Sequence, residues 1–197
     1  MNQRRLPHSF VQDLTAVELA AGTEPLLQRF FDENPVYFMS AYGEPAGPHA
    51  AHEEIHEDLP EGWPYTKKWV IGYTTSSGEL GALANVVADL LAPSVWHIGT
   101  FIIATSRHGT GEARALYQGL EQWARDNGAR WFRLGVVSGN LRAERFWRRL
   151  GFTQTRVRTG IAMGRVENTV RVMFKPLQGG SQHDYLVLVE RDRPDAA

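Results

Sequence analysis

The 197 residues contain no cysteine, so this chain has no disulfide, no thiolate nucleophile and no thiolate metal ligand. Long apolar runs are missing too: no stretch approaches the roughly 20 residues that cross a bilayer. Arg4 and Arg5 lead into Pro7, His8 and Ser9 rather than into an apolar segment, so a secretory signal is not expected and the cytoplasm is the default location. Two well-known phosphate loops are absent. No Gly-x-x-x-x-Gly-Lys precedes a Ser or Thr, and the third glycine of a dinucleotide fingerprint would fall at Arg114. Repeats and low-complexity segments are also lacking.

Net charge is scarce at −1, but it is unevenly placed. Residues 1–100 hold five Lys plus Arg against thirteen Asp plus Glu, giving −8, and residues 101–197 hold sixteen against nine, giving +7. An acidic half draws a cationic substrate such as an amine, and a basic half suits an anionic cofactor. With 43% hydrophobic and 22% charged residues the composition is that of a globular domain, and the length suits one core. A single domain over residues 1–177 is expected. Residues 178–197 form a tail in which 185–189 read as an additional edge strand and the end from Arg191 as disordered.

What is present centres on residues 95–113. Val-Trp-His-Ile-Gly-Thr-Phe-Ile-Ile-Ala is a β-branched and aromatic run, and Thr-Ser-Arg-His-Gly-Thr-Gly-Glu-Ala then opens a helix on which Ala113, Leu116, Tyr117, Leu120, Trp123 and Ala124 share a face. Gly109 and Gly111 allow the backbone to approach a phosphate, and the first turn of a helix supplies free N–H groups and a partly positive dipole end. Strands are expected at residues 68–73, 80–87, 130–137, 152–159 and 169–174, and a weaker one within 9–20. Short helices are expected after Thr23 and after Asn34 with Pro35, and a helix from Asn140 carries Ala143, Phe146, Trp147 and Leu150.

Residues 49–58 hold a second pattern. His52, Glu53 and His56 fit the His-Glu-x-x-His spacing in which two histidines one helical turn apart bind zinc and the glutamate acts as base. Pro48 and Pro60 bracket a helix of barely three turns, and the next turns offer Leu59 and Gly62 instead of a third ligand. The segment therefore reads as a solvated acidic helix or a lid over the substrate, with zinc hydrolysis as an alternative and no metal expected.

The order strand, Ser106-x-x-Gly109-x-Gly111-x-Ala113, long helix, strand with Leu134-x-Val136, then Asn140-x-x-Ala143-x-x-Phe146-Trp147-x-x-Leu150-Gly151-Phe152, resembles the GNAT superfamily of acyl-CoA-dependent N-acetyltransferases. The resemblance covers residues 68–175 well and the helical region 23–66 in layout. It implies an α/β fold: a mixed, splayed sheet of six to seven strands flanked by four or five helices, with acetyl-CoA as co-substrate in the V between two parallel strands. Phe101, Ile102 and Ile103 would then pair with the pantetheine arm. Arg107, His108, Gly109, Thr110, Gly111, Glu112 and Ala113 would hold the pyrophosphate, and Asn140 and Trp147 would line the cofactor. Trp147 stands where many members carry a tyrosine that protonates the departing thiolate, and an indole N–H has no such acidity.

The general base implied by the resemblance is His97 on the central strand, with Glu53, Glu54 or Glu57 as rivals. The expected acceptor is the amine of a small molecule or peptide, attacked directly in a ternary complex; no nucleic acid or membrane partner is expected, and edge strands beyond Phe152 allow a homodimer. A non-catalytic acyl-CoA-binding module is the alternative from another class.

Overall fold

In the computed structural model, which describes residues 6–196, seven strands form one sheet in the order β1-β2-β3-β4-β5-β7-β6. They are β1 (Thr15–Leu19), β2 (Lys67–Thr74), β3 (Leu80–Ala88), β4 (Val95–Ile103), β5 (Trp131–Val137), β6 (Thr153–Met163) and β7 (Val166–Pro176). Neighbours are antiparallel except β4 and β5, which run parallel. Their crossover is α4 (Glu112–Asp126), the long amphipathic helix expected from the 3.6-residue spacing. Three tryptophans seat it: Trp69 of β2 and Trp96 of β4 lie 5.3 Å apart, and Trp123 meets each edge-on at 5.1 and 5.2 Å.

The helix α5 (Leu141–Arg149) lies on the α4 face, where Trp147 and Phe152 join the main core. On the opposite face α1 (Glu24–Glu33), α2 (Val36–Ala41) and α3 (Ala50–His56) cover β2, β3 and the far end of β4 through Leu27, Phe30, Phe31 and Phe38. No described helix is long and apolar enough to cross a membrane.

Two expectations for the chain's end are corrected. Residues 185–189 are not an edge strand, because Ser181 and Asp184 close a capping box that starts α6 (Gln182–Leu188). Tyr185 and Val189, one turn apart, then pack against Trp131 and Phe174 on the sheet. Nor is the described part of the end from Arg191, residues 191–196, loose; residue 197 lies outside the described residues. Asp192 is 1% exposed and accepts both Arg133 Nε at 2.8 Å and Arg133 Nη2 at 2.9 Å, with the Tyr185 hydroxyl donating at 2.5 Å. The hairpin of β6 and β7 is also longer than its sequence pattern suggests, turning at Gly164 and Arg165 instead of over 160–167.

A forked guanidinium–carboxylate pair this deeply buried leaves a bare charge when one partner is removed. Asp192→Ala is expected to cost about 3–5 kcal/mol in urea unfolding. A loss below about 0.5 kcal/mol, the range of surface substitutions, would return these residues to a loose tail.

Candidate active site

Parallel pairing of β4 with β5 covers only Val95 to Ile98 against Trp131 to Leu134. Beyond it the strands part, each keeping its outer antiparallel neighbour. On its β3 side β4 carries a bulge: Val86 faces Ile98 and Asn85 faces Thr100, which leaves Gly99 as the extra residue. Phe101 turns toward α5 and packs on Phe146 at 6.0 Å and Trp147 at 5.7 Å, so aromatic side chains fill the space beside the opening. Ile103 joins the same core, and Ile102 points to the α1–α3 face. Trp147 is 7% exposed and packs edge-on against Tyr117 and Phe152; its place is in the core wall.

At the far end of β4 a single 3-10 turn (Thr105–Arg107) leads into the glycine loop. The buried Asn34 side chain, at the end of α1, accepts the Thr105 N–H at 2.6 Å and so ties this turn to the opposite helical layer. Gly109 (φ +83°) and Gly111 (φ +89°) both adopt the left-handed conformation that favours glycine, and open space lies where a Cβ would be. Among the described residues, the N–H groups of Gly109, Thr110, Gly111 and Ala113 have no protein acceptor at the start of the 15-residue α4. The loop thus offers a set of unpaired donors at a positive dipole end, as an anion requires.

The side chains around the loop are already engaged. Arg107 is held between Asp13 and Glu112, the latter at 2.9 Å, so its charge is compensated locally. The His108 ring spans the end of the cleft, with Nε2 2.9 Å from the Ile103 carbonyl and Nδ1 2.7 Å from Arg142 on α5. Arg142 donates to Nδ1, so Nε2 carries the proton and donates to the carbonyl. Asn140 caps α5, accepting the Ala143 N–H at 3.1 Å.

On the other side of β4 lies a cavity of about 460 Å³ between α1–α3 and the sheet. Tyr37, Phe38 and Tyr42 form its aromatic wall, and Glu44, Glu53, Glu54 and Glu57 are the carboxylates in its lining. Both oxygens of Glu54 are engaged: one accepts Asn85 Nδ2 at 2.7 Å and the other accepts the Thr100 hydroxyl at 3.3 Å. Burial raises its pKa above the ordinary carboxylate range, opposed by those two hydrogen bonds and by Lys68. Lys68 of β2 donates to the carbonyls of Glu54, at 3.3 Å, and of Glu57, and so caps the end of α3. The bulge makes this contact, because with Gly99 as an extra residue Thr100 faces the same side as Asn85.

His97 lies elsewhere. It sits where β4 and β5 are still paired and is absent from the cavity lining; its Nδ1 is 3.4 Å from Arg133 of the Asp192 cluster. Burial and the adjacent guanidinium depress its pKa to about 3, which makes it a weak base. Sequence reasoning ranked His97 above Glu54 and did not single out Asn85 or Thr100.

The family model described as Acetyltransferase (GNAT) family matches residues 23–152. No curated protein matches in sequence. Among solved structures, the spermidine N-acetyltransferase from Vibrio cholerae in complex with CoA and spermine is 19% identical with a TM-score of 0.62, covering 84% of this chain and 96% of that one. A GCN5-related N-acetyltransferase from Kribbella flavida is 23% identical with a TM-score of 0.61, covering 84% and 98%. The ribosomal-protein-S18-alanine N-acetyltransferase from Escherichia coli is 15% identical with a TM-score of 0.60, covering 86% and 97%. The parted strands, the glycine loop at the head of α4 and the family match over well more than half of the sequence lead to one conclusion: this chain belongs to the GNAT acetyltransferase family of enzymes.

Proposed function

We propose that this enzyme transfers an acetyl group from acetyl-CoA to a primary amine on a cationic substrate, by direct attack within a ternary complex. The observation that carries this reading is Glu54, a desolvated carboxylate hydrogen-bonded to the strand that borders the cleft. The cavity and the cleft flank the same stretch of β4, since Thr100 lines the cavity and the next residue, Phe101, packs toward α5 on the other face. Acetyl-CoA is placed in the cleft, with open N–H groups at the loop for its pyrophosphate and the Phe101 and Ile103 N–H groups, on the β4 edge away from β3, for its pantetheine arm.

An amine reaches this site as an ammonium ion. Glu44, Glu53 and Glu57 attract it, and the faces of Tyr37, Phe38 and Tyr42 favour a cation beside them. Glu54 then takes the proton, and the freed nitrogen lone pair attacks the thioester carbonyl. A β4 N–H near Phe101 donates to the developing oxyanion; as the tetrahedral adduct collapses the C–S bond breaks, the thiolate leaves, and the nitrogen releases its second proton to that thiolate or to water, giving the neutral amide. Trp147 donates no proton to the thiolate, and without cysteine no acyl-thiol enzyme forms. The neighbour that holds CoA and spermine supports a cationic amine as the substrate class. A binding-only module gains support from Trp147, but it leaves the half-buried Glu54, tied to β3 and β4, without a purpose.

Amine-dependent release of free CoA thiol, followed over a panel of primary amines, tests this reading. Glu54→Gln is expected to lower kcat by about 10²–10⁴-fold with the Kd for acetyl-CoA unchanged; full activity in that variant would place the base elsewhere. Gly111→Glu puts a carboxylate and a strained φ at the loop, and calorimetry should show acetyl-CoA binding weakened by about tenfold or more. Unaltered affinity would remove the loop from the cofactor site.

A further inference from the structure

The acetyltransfer reading uses only half of the His-Glu-x-x-His segment. Glu53 and Glu54 line the cavity, whereas His52 and His56 lie outside its lining, exposed on α3. Their rings are one helical turn apart with centroids at 4.5 Å. The third ligand that the local sequence lacks comes from another helix. Glu24, in the first turn of α1, places Oε1 2.7 Å from His56 Nε2, and one ligand atom from each of Glu24, His52 and His56 lies within 4.8 Å of the other two.

We propose that Glu24, His52 and His56 form a binding site for one divalent transition-metal ion, with water completing its shell. Two neutral imidazoles and a carboxylate suit Zn²⁺, Co²⁺, Ni²⁺ or Cu²⁺ and not Mg²⁺ or Ca²⁺, which take all-oxygen shells. In a tetrahedral zinc site with bonds near 2.0–2.1 Å, ligand atoms are about 3.3 Å apart, so small rotations about side-chain bonds close this set around an ion.

The surroundings are organised for it. The other oxygen of Glu24 accepts the Gly22 N–H at 2.6 Å, which orients the carboxylate as an outer-shell partner does. Gln28 of α1 accepts the Ala51 N–H at 3.2 Å and donates to the Gly47 carbonyl at 3.1 Å, holding α1 against the start of α3. The site is not hydrolytic, because Glu53, the base of a hydrolase with this spacing, belongs to the cavity wall. The ion would instead staple α3, a seven-residue helix too short to be stable alone, to α1, and thereby steady the wall that carries Glu54.

The test uses full-length, tag-free protein stripped with EDTA and titrated with Zn²⁺ by calorimetry and with Co²⁺ by visible absorption. One equivalent is expected to bind with micromolar Kd, with cobalt d–d bands of a four- or five-coordinate site. Zinc at about 100 times Kd should raise Tm by about 5–10 °C, with no such shift in Mg²⁺. His52 takes no part in the Glu24–His56 hydrogen bond. His52→Ala should therefore leave the metal-free Tm within about 2 °C while abolishing the zinc shift and the cobalt bands. Substoichiometric uptake, an equal shift with Mg²⁺, or binding that survives in the His52→Ala/His56→Ala double variant would overturn the site. These readouts do not involve acetyl transfer, so either proposal can fail alone.

Discussion

Between Ile98 and Thr100, β4 loses its parallel partner on one side and slips its register by one residue on the other. The main features of the site follow from these two events. Loss of the β5 pairing leaves backbone donors and acceptors on one edge of β4 facing open space in the middle of a sheet, a costly arrangement unless something else pairs with them. The aromatic packing of Phe101, Phe146 and Trp147 supports the opening from one face. The slip at Gly99 brings Thr100 to the side of Asn85, where both hold Glu54. Under the proposed function, these two events prepare a place for the acyl donor and a base for the acceptor on opposite sides of the same strand.

The charged groups in the interior are distributed with similar economy. Arg133 and Asp192 are fully paired and fix the chain's end to β5. Their neighbour His97 is held neutral by burial and by the guanidinium beside it, and serves as part of that cluster. Glu54 differs in having neutral hydrogen-bond donors rather than a bidentate arginine. Its ionised form is tolerated without being locked, which suits the proton uptake and release proposed for it.

Much of the fold was legible because it rests on local signals. The strand, glycine loop and α4 are written in the 3.6-residue spacing from Ala113 to Ala124, and Asn140 caps α5 as its position before Ala143 implies. The loop glycines carry the positive φ that their place at a helix start requires. The misses are non-local, or rest on a cue outweighed by another. The Ser181 to Asp184 capping box was a readable signal at the head of α6, but the β-branched residues that follow favoured a strand. Strand alternation carries no mark of the extra residue at Gly99, so Thr100 and Asn85 could not be paired with Glu54 in advance. Likewise, Glu24 approaches His56 from 32 residues away, and no helical spacing predicts it.

Amide hydrogen exchange with and without acetyl-CoA tests the central claim, that the parted strands and the loop at the head of α4 form the acyl-donor site. The account predicts added protection confined to the amides of Phe101 and Ile103, on the open edge of β4, and of Gly109, Thr110, Gly111 and Ala113, the unpaired donors of the loop. Saturating acetyl-CoA with no change in these amides, or protection centred on another surface, would contradict it.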